Sequence, residues 1–391
     1  MKLDAERLEL ENMLTSRDAS VVFFAVRNLR KFSPDKVTTA LISFLRNPER
    51  TNLRKHRIEA VKILAEAHDS MNIVKILDLL TSERDSHVLA TLISSCSEFM
   101  SGNSDFLPLL TPLLQHDDAR VVANAIEAMG KFGPDIVKGN LKSYLFSSIP
   151  RQSMNAAAAF FRAGEEKIYS FIRLKLTGED PCWQASAAHA IGKVNSSESA
   201  TDLLSILPTS QPQVRETVLK GLAETASQAS IMPIISCMLI EKEIKLQHAY
   251  IQTLKALGEE QTVAKLSEIS ANSGNPRIQA TAVKLLGHFD VPGTLDTVKR
   301  GLMSNDPRVM ANSIEALMNQ GNDAASIMLN DYLTSAHPRV RGNAVMAMWK
   351  LGITGVIRHL REMMDEGDPR NHQSAAWVIE KLGIDYLFSA A

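Results

Sequence analysis

Cys182 and His189 come closest to a nucleophile with its base. They stand seven residues apart, nearly two turns of a helix or about 10 Å, which is too far for a direct hydrogen bond. The three cysteines, Cys96, Cys182 and Cys237, form no C-x-x-C pair. Such sparse thiols read as buried small hydrophobes in a reducing compartment. The ten histidines are scattered, and none is followed by Glu. His87, His189, His248 and His288 fall on one helical stripe, but in different units and at different positions, too dispersed to share a metal. No Gly-rich phosphate loop, H-E-x-x-H, G-x-S-x-G or EF-hand loop occurs. The expectation is a protein that is not an enzyme, with no catalytic residue, no metal and no cofactor.

What recurs instead is a cation in a constant setting. Residues 306–317 read DPRVMANSIEAL, 118–129 DARVVANAIEAM and 337–348 HPRVRGNAVMAM. Residues 275–286 read NPRIQATAVKLL, 368–379 DPRNHQSAAWVI and 180–191 DPCWQASAAHAI. Anchoring each copy on its central residue gives Ala25, Ala60, Leu92, Ala125, Ala156, Ala187, Val218, Ala249, Ala282, Ser313, Ala344 and Ala375. Seven of the eleven spacings are 31 residues; near Ala249 a register four residues later fits as well. A sustained period of this size marks an array of stacked repeats.

The elements that carry the cations are helices. Apolar residues stand one and four places after most anchors (Ile126 and Met129, Ile314 and Leu317), the spacing of a helical stripe. Asp306-Pro307, Asp368-Pro369, Asp180-Pro181 and Asn275-Pro276 supply an N-cap followed by a first-turn Pro. Second apolar stretches, such as Leu107–Leu114 and Ile231–Leu239, lie between. Each unit is therefore predicted to be a helical hairpin. Twelve units make about 24 helices, in one continuous array over residues 1–391.

The Asp-Pro-Arg-Val start and Ala-rich second helix resemble the HEAT repeat, in the short bacterial form shared with phycobilin-lyase-like proteins. The resemblance covers nearly the whole chain. It is strongest at 118–135 and 275–380 and weaker at 50–100 and 240–260. It implies an all-α, right-handed α-solenoid whose second helices line the concave face, an armadillo-like architecture that specifies fold better than activity. In the family the Arg after Asp-Pro tends to bridge to acidic groups of the adjacent repeat, a role that would fall to Arg120, Arg277, Arg308, Arg339 and Arg370. The His-Glu pairs that bind iron in HEAT-like deoxyhypusine hydroxylases are absent. Asn124, Asn155, Asn312 and Asn343, each just before its anchor, are expected to form an inter-repeat hydrogen-bond ladder.

The stripe opposite the core falls five and one residues before each anchor, and two and six after it. Those positions hold 18 basic side chains against six acidic ones. The chain as a whole, with 43 Lys and Arg against 44 Asp and Glu, carries a net charge of −1. That balance excludes a globally basic nucleic-acid binder and predicts a polarised molecule with a basic concave groove. Lys131, Arg162, Lys193, Lys255, Lys350 and Lys381 are the candidate groove cations, with Trp349 and Trp377 as candidate aromatic anchors. The segment Arg46, Arg50, Arg54, Lys55, Arg57 reads as an exposed extension. The eight Met of residues 303–364 read as adaptable core. The apolar C-terminal Asp385–Ala391 either folds back over the last hairpin or marks a cut from something longer.

The function expected is a non-catalytic scaffold holding a protein partner, of acidic character, in that groove. A phycobilin lyase-like chaperone or isomerase, and a nucleic-acid-binding HEAT-like protein, are the alternatives. The N-terminus lacks a signal-peptide pattern, and no apolar run nears the ~20 residues of a membrane span. A cytoplasmic location is expected.

Overall fold

Capping chemistry opens the repeat helices as their sequences predict. The carboxylates of Asp18, Asp118, Asp180 and Asp368 and the amide oxygen of Asn275 accept the N–H two residues on, at 2.8–3.0 Å. Pro follows directly at 181, 276 and 369, where its missing N–H is no loss. The structure, a computed structural model, describes residues 2–66, 77–320 and 324–388. It is all-α: the described residues contain helices and no strand. The anchor-bearing helices are α1 (Ala19–Leu29), α2 (Arg54–Ala65), α3 (Ser86–Met100), α4 (Ala119–Met129), α5 (Pro150–Arg162) and α6 (Pro181–Val194). They continue as α7 (Pro212–Thr225), α8 (Ile244–Leu257), α9 (Pro276–Leu286), α10 (Pro307–Gln320), α11 (Pro338–Lys350) and α12 (Pro369–Leu382).

Contacts divide the chain into two compact units, Met1–Ser196 and Ser197–Ala391. The first contains α1–α6 and the second α7–α12. Within each unit the repeat helices pack on neighbouring repeats, and a partner helix completes each hairpin. No hairpin closes its own apolar face, so the core runs through the stack.

Eleven of the twelve anchors are wholly buried, at 0% exposure. Small side chains there let the helix axes approach near the short end of the 8–10 Å range. The exception corrects the sequence reading. Ala249 is only half-buried, and Tyr250 takes the anchor place, flanked by buried Leu246, Ile251 and Leu254. The bulk of Tyr250 disguised the position. Its hydroxyl is accommodated 3.4 Å from Glu241. Two other assignments change: Cys182 is exposed, in the first turn of α6, and Met303 is 84% exposed in an inter-helix turn rather than core.

The Asn residues tie consecutive repeats together. The side-chain amides of Asn124, Asn155, Asn312 and Asn343 donate to the carbonyls of Ala90, Ala123, Ala280 and Ala311, at 2.6–2.9 Å. Each bond gives a buried Asn amide an acceptor on the preceding repeat helix. Asn124 and Asn312 also accept from Arg151 and Arg339 of the following repeat, at 2.8 and 3.1 Å.

A second tie was not foreseen. Arg57, Arg215 and Arg341 occupy the same place, three before the anchor. Each reaches the turn of the next repeat and pairs with a Glu 25 or 26 residues on. Arg57 grips Glu83 through both terminal nitrogens, at 3.1 and 2.5 Å. Arg215 meets Glu241 at 3.5 Å, and Arg341 meets Glu366 at 2.6 Å. The carboxylates of Glu83 and Glu241 also accept two N–H groups of their own turns. In all three arginines Nε has no partner. Where the position holds Gln, as in Gln184 and Gln279, the amide donates instead to its own repeat's turn, at 2.7 Å.

These pairs overturn the reading of residues 46–57 as an exposed basic run. Arg57 is buried with Glu83, and Arg50 is buried with its guanidinium on the carbonyls of Thr15 and Ser16, at 2.6 Å. Arg46 and Arg54 pair with Asp78 and Asp85 of the next repeat. At the other end, Arg361 bonds the Leu387 carbonyl and stacks 5.8 Å from the Phe388 ring, so the chain folds back on the last hairpin at least to Phe388; residues 389–391 lie outside the described residues.

Candidate partner-binding surface

The face opposite the anchors is polar in both units, and its cations sit among interleaved acids. In the first unit Lys131 donates to Ser97 at 2.9 Å and pairs with Glu98. Arg162 lies against Gly130. Part of its side chain is open, yet burial of the guanidinium lowers its pKa, against the opposing field of Glu127 and Glu98. Lys193 and Arg151 face Glu127 electrostatically. Lys131, Arg162 and Lys193 thus share one patch with two carboxylates, rather than forming an uncompensated basic strip.

Glu127 and His189 meet at 3.2 Å although two repeats apart. Both stand two after their anchors, and Ala158 holds that place on the intervening helix. Its methyl is short enough for the pair to close above it. Burial alone would raise the Glu127 pKa, but the bond to His189 and the fields of Lys193 and Arg151 bring it down to about 2. Depressed below its ordinary value of 4.5, it contributes stability above that pH, and the contribution fades as pH falls toward 2. Urea unfolding of the intact chain at pH 4.5 and 2.5 should show Glu127→Gln losing on the order of 2 kcal/mol less than wild type over that interval. Equal acid sensitivity would contradict the assignment.

The second unit carries Lys255, Lys350, Lys381, Trp349 and Trp377. Lys255 lies 5.6 Å over the Phe289 ring and 3.9 Å from Glu259. With Tyr250 as anchor it stands beside the stripe, and Lys245 takes a stripe position in its stead. Lys350 and Lys381 are exposed. Trp349 is half-buried, whereas Trp377 is 42% exposed. Lys284 and Glu315 form a half-buried pair at 2.8 Å.

The arginines after Asp-Pro do not bridge to acids of the adjacent repeat. Arg120 and Arg370 turn back onto the capping carboxylates of their own repeats, Asp118 and Asp368. Arg339 takes the amide oxygen of Asn312. Arg277 and Arg308 make no side-chain ion pair among the described residues. The reason is geometric: these first-turn side chains lie nearest their own N-cap. They reach the previous repeat where an Asn oxygen projects toward them, or, for Arg120, where the His87 ring does. The Asn–Arg link was missed because the two residues are 27 apart, a spacing that means nothing until the period is known.

Among the described residues no group of His, Cys, Asp and Glu could hold a metal ion. No helix among them is long and apolar enough to cross a membrane.

An all-α stack of capped hairpins with this stripe defines a class, and the comparisons agree with it. A family model of HEAT repeats matches residues 52–130 and 263–347, so those two stretches are similar to HEAT repeats. No curated protein matches it. Among solved structures, crystal structures of Kap121p cover 97% of this chain at 12% identity and a TM-score of 0.43. Kap121p bound to the extreme C-terminus of the protein phosphatase Cdc14p matches at 13% identity and 0.45. The chain spans about half of Kap121p, 48% and 45% in these two structures. Human deoxyhypusine hydroxylase in complex with glycerol matches 60% of this chain at 14% identity and a TM-score of 0.24.

Proposed function

We propose that this chain is a non-catalytic scaffold of a reducing compartment such as the cytoplasm, binding a protein partner along the polar stripes of its repeat helices. The observation that supports it most is the division of labour within each helix. The anchor side is sealed to zero exposure in eleven repeats. The opposite side repeats Arg and Lys at constant intervals, above buried Asn amides that tie their repeats to the ones before. A periodic, rigid polar face offers many small contacts to an extended partner, and its excess of cations speeds encounter with an acidic one.

Lys350 and Lys381 test this best, because both are exposed and neither makes an ion pair among the described residues. Changing both to Glu should reduce capture of the partner from lysate by at least about tenfold, with stability altered by no more than about 0.5 kcal/mol. Lys131 is a poorer probe, since reversing its charge would set a carboxylate beside Glu98. Capture that survives nuclease and moderate salt supports the protein-partner reading. Capture abolished by nuclease, with affinity falling steeply with salt, would replace it with nucleic-acid binding. A co-purifying coloured bilin would replace it with the lyase-like reading.

A further inference from the structure

The two units repeat one another at an interval of 188 residues, and the second carries a cleft at positions where their side chains differ. Asn124, Tyr144, Arg151, Asn155 and Phe161 of the first correspond to Asn312, Tyr332, Arg339, Asn343 and Trp349 of the second. The hydrogen bonds correspond too: the hydroxyls of Tyr144 and Tyr332 donate to the carbonyls of Leu114 and Leu302. Yet Met154, wholly buried in the first unit, is matched by Gly342 in the second. His189, which closes over Ala158 onto Glu127, is matched by exposed Trp377.

Gly342 lies in the wall of a cleft of about 610 Å³ between α11 and α12, where Val378 and Ser374 stand within 4 Å of the place a side chain at 342 would take. Lys284, Arg339, Arg370, Asn343 and Trp377 contribute to its walls, and Glu315 is its one anion. Three cations against one carboxylate give it a positive field. Hydrogen bonding points the same way. Arg339 reaches the amide oxygen of Asn312, but Arg370 leaves the equivalent oxygen of Asn343 without a donor and folds onto Asp368. That oxygen is an unused acceptor on the cleft wall. Arg370 is 79% exposed and can swing from Asp368 to an incoming group at little cost.

The geometry points to this cleft as the anchoring site for an acidic segment of the protein partner. A Glu or Asp side chain enters between Arg339 and Arg370, a backbone N–H donates to Asn343, and the Trp377 ring covers the chain. A charge-assisted fork to carboxylate and a flat aromatic wall are both suited to an extended acidic peptide. The assignment rests on the scaffold reading and narrows it to one place.

The test titrates the intact chain with a fluorescein-labelled, Glu-rich peptide at physiological ionic strength, where the Debye length is about 8 Å. Arg370→Glu and Trp377→Ala should each weaken binding at least about tenfold, the second by removing the aromatic wall. Arg308→Glu, on the stripe but outside the cleft, should change it less than about twofold. Thermal melts show which variants are folded; should Trp377→Ala fail to fold, Arg370→Glu against Arg308→Glu still decides. Equal weakening by those two would overturn the cleft and leave the scaffold reading intact, as would wild type that captures a protein but ignores the peptide. A phosphorylated peptide or single-stranded DNA binding more tightly through Arg370 would overturn the acidic-protein assignment. Loss of all partner capture in the lysate experiment, by contrast, would remove the scaffold reading itself.

Discussion

Replacing Arg57 with alanine is expected to cost about 3–5 kcal/mol, a large part of the stability of an ordinary domain. The side chains of Arg57 and Glu83 are only 5% and 3% exposed. Truncation leaves the carboxylate buried opposite nothing and frees the Leu45 carbonyl that Arg57 also holds. The expected signal is a lower urea midpoint by circular dichroism, with faster amide exchange in α2 and α3, because a repeat's stability is shared mainly with its neighbours. Arg54→Ala removes a pair whose arginine is half exposed and should cost no more than about 1 kcal/mol. Substituting Arg57 and Glu83 together by Met and Leu should recover much of the loss, since neither charge is then stranded. A cost for Arg57→Ala no larger than that for Arg54→Ala would show that the pair is solvated in solution.

The second large effect is a glycine-to-alanine change whose sign depends on place. Gly287 ends α9 with its Cα facing α10, and a Cβ there would lie 2.6 Å from the Ala316 Cα. Backbone cannot step aside as a side chain tip can, so the two helices must separate. Gly287→Ala should cost about 1–3 kcal/mol, and the melting midpoint should fall. Gly139 lies exposed in the helix Pro134–Leu141, with nothing within 4 Å of its would-be Cβ. There the same change should stabilise by about 0.5–1 kcal/mol, through the helix preference of alanine. Both variants can be read in one thermal-melt series. Two shifts of the same sign would show that close approach at Gly287 does not govern its effect.

These residues mark how far the sequence could be read. The repeat, its helices, their caps and eleven of its anchors were legible because each depends on local chemistry. Asp-Pro opens a helix wherever it stands, and a small residue flanked by apolar ones at one and four places must face inward. Tyr250 escaped because the rule sought a small side chain, and the fold admitted a large one. That Asn124 would bond a neighbouring repeat was legible from its recurrence before the anchors; its burial and its partner carbonyl, on another helix, were not.

Charge was read least well. From the sequence 18 cations on one stripe look like a basic groove, because spacing along one helix says which residues share a face and nothing about what the next helix sets opposite them. Stacking placed Glu98 beside Lys131 and Glu127 beneath His189. It buried Arg50 and Arg57 and turned Arg120 and Arg370 onto their own caps. The sequence by itself determined an array of helical hairpins and the inward side of nearly every repeat helix, through periods of 3.6 and about 31 residues. Tertiary structure decided which cations are spent on carboxylates and carbonyls, and that Arg339, Arg370 and Trp377 meet around one cleft. Pairing and void are properties of the space between helices, and that space exists only once neighbouring repeats have packed.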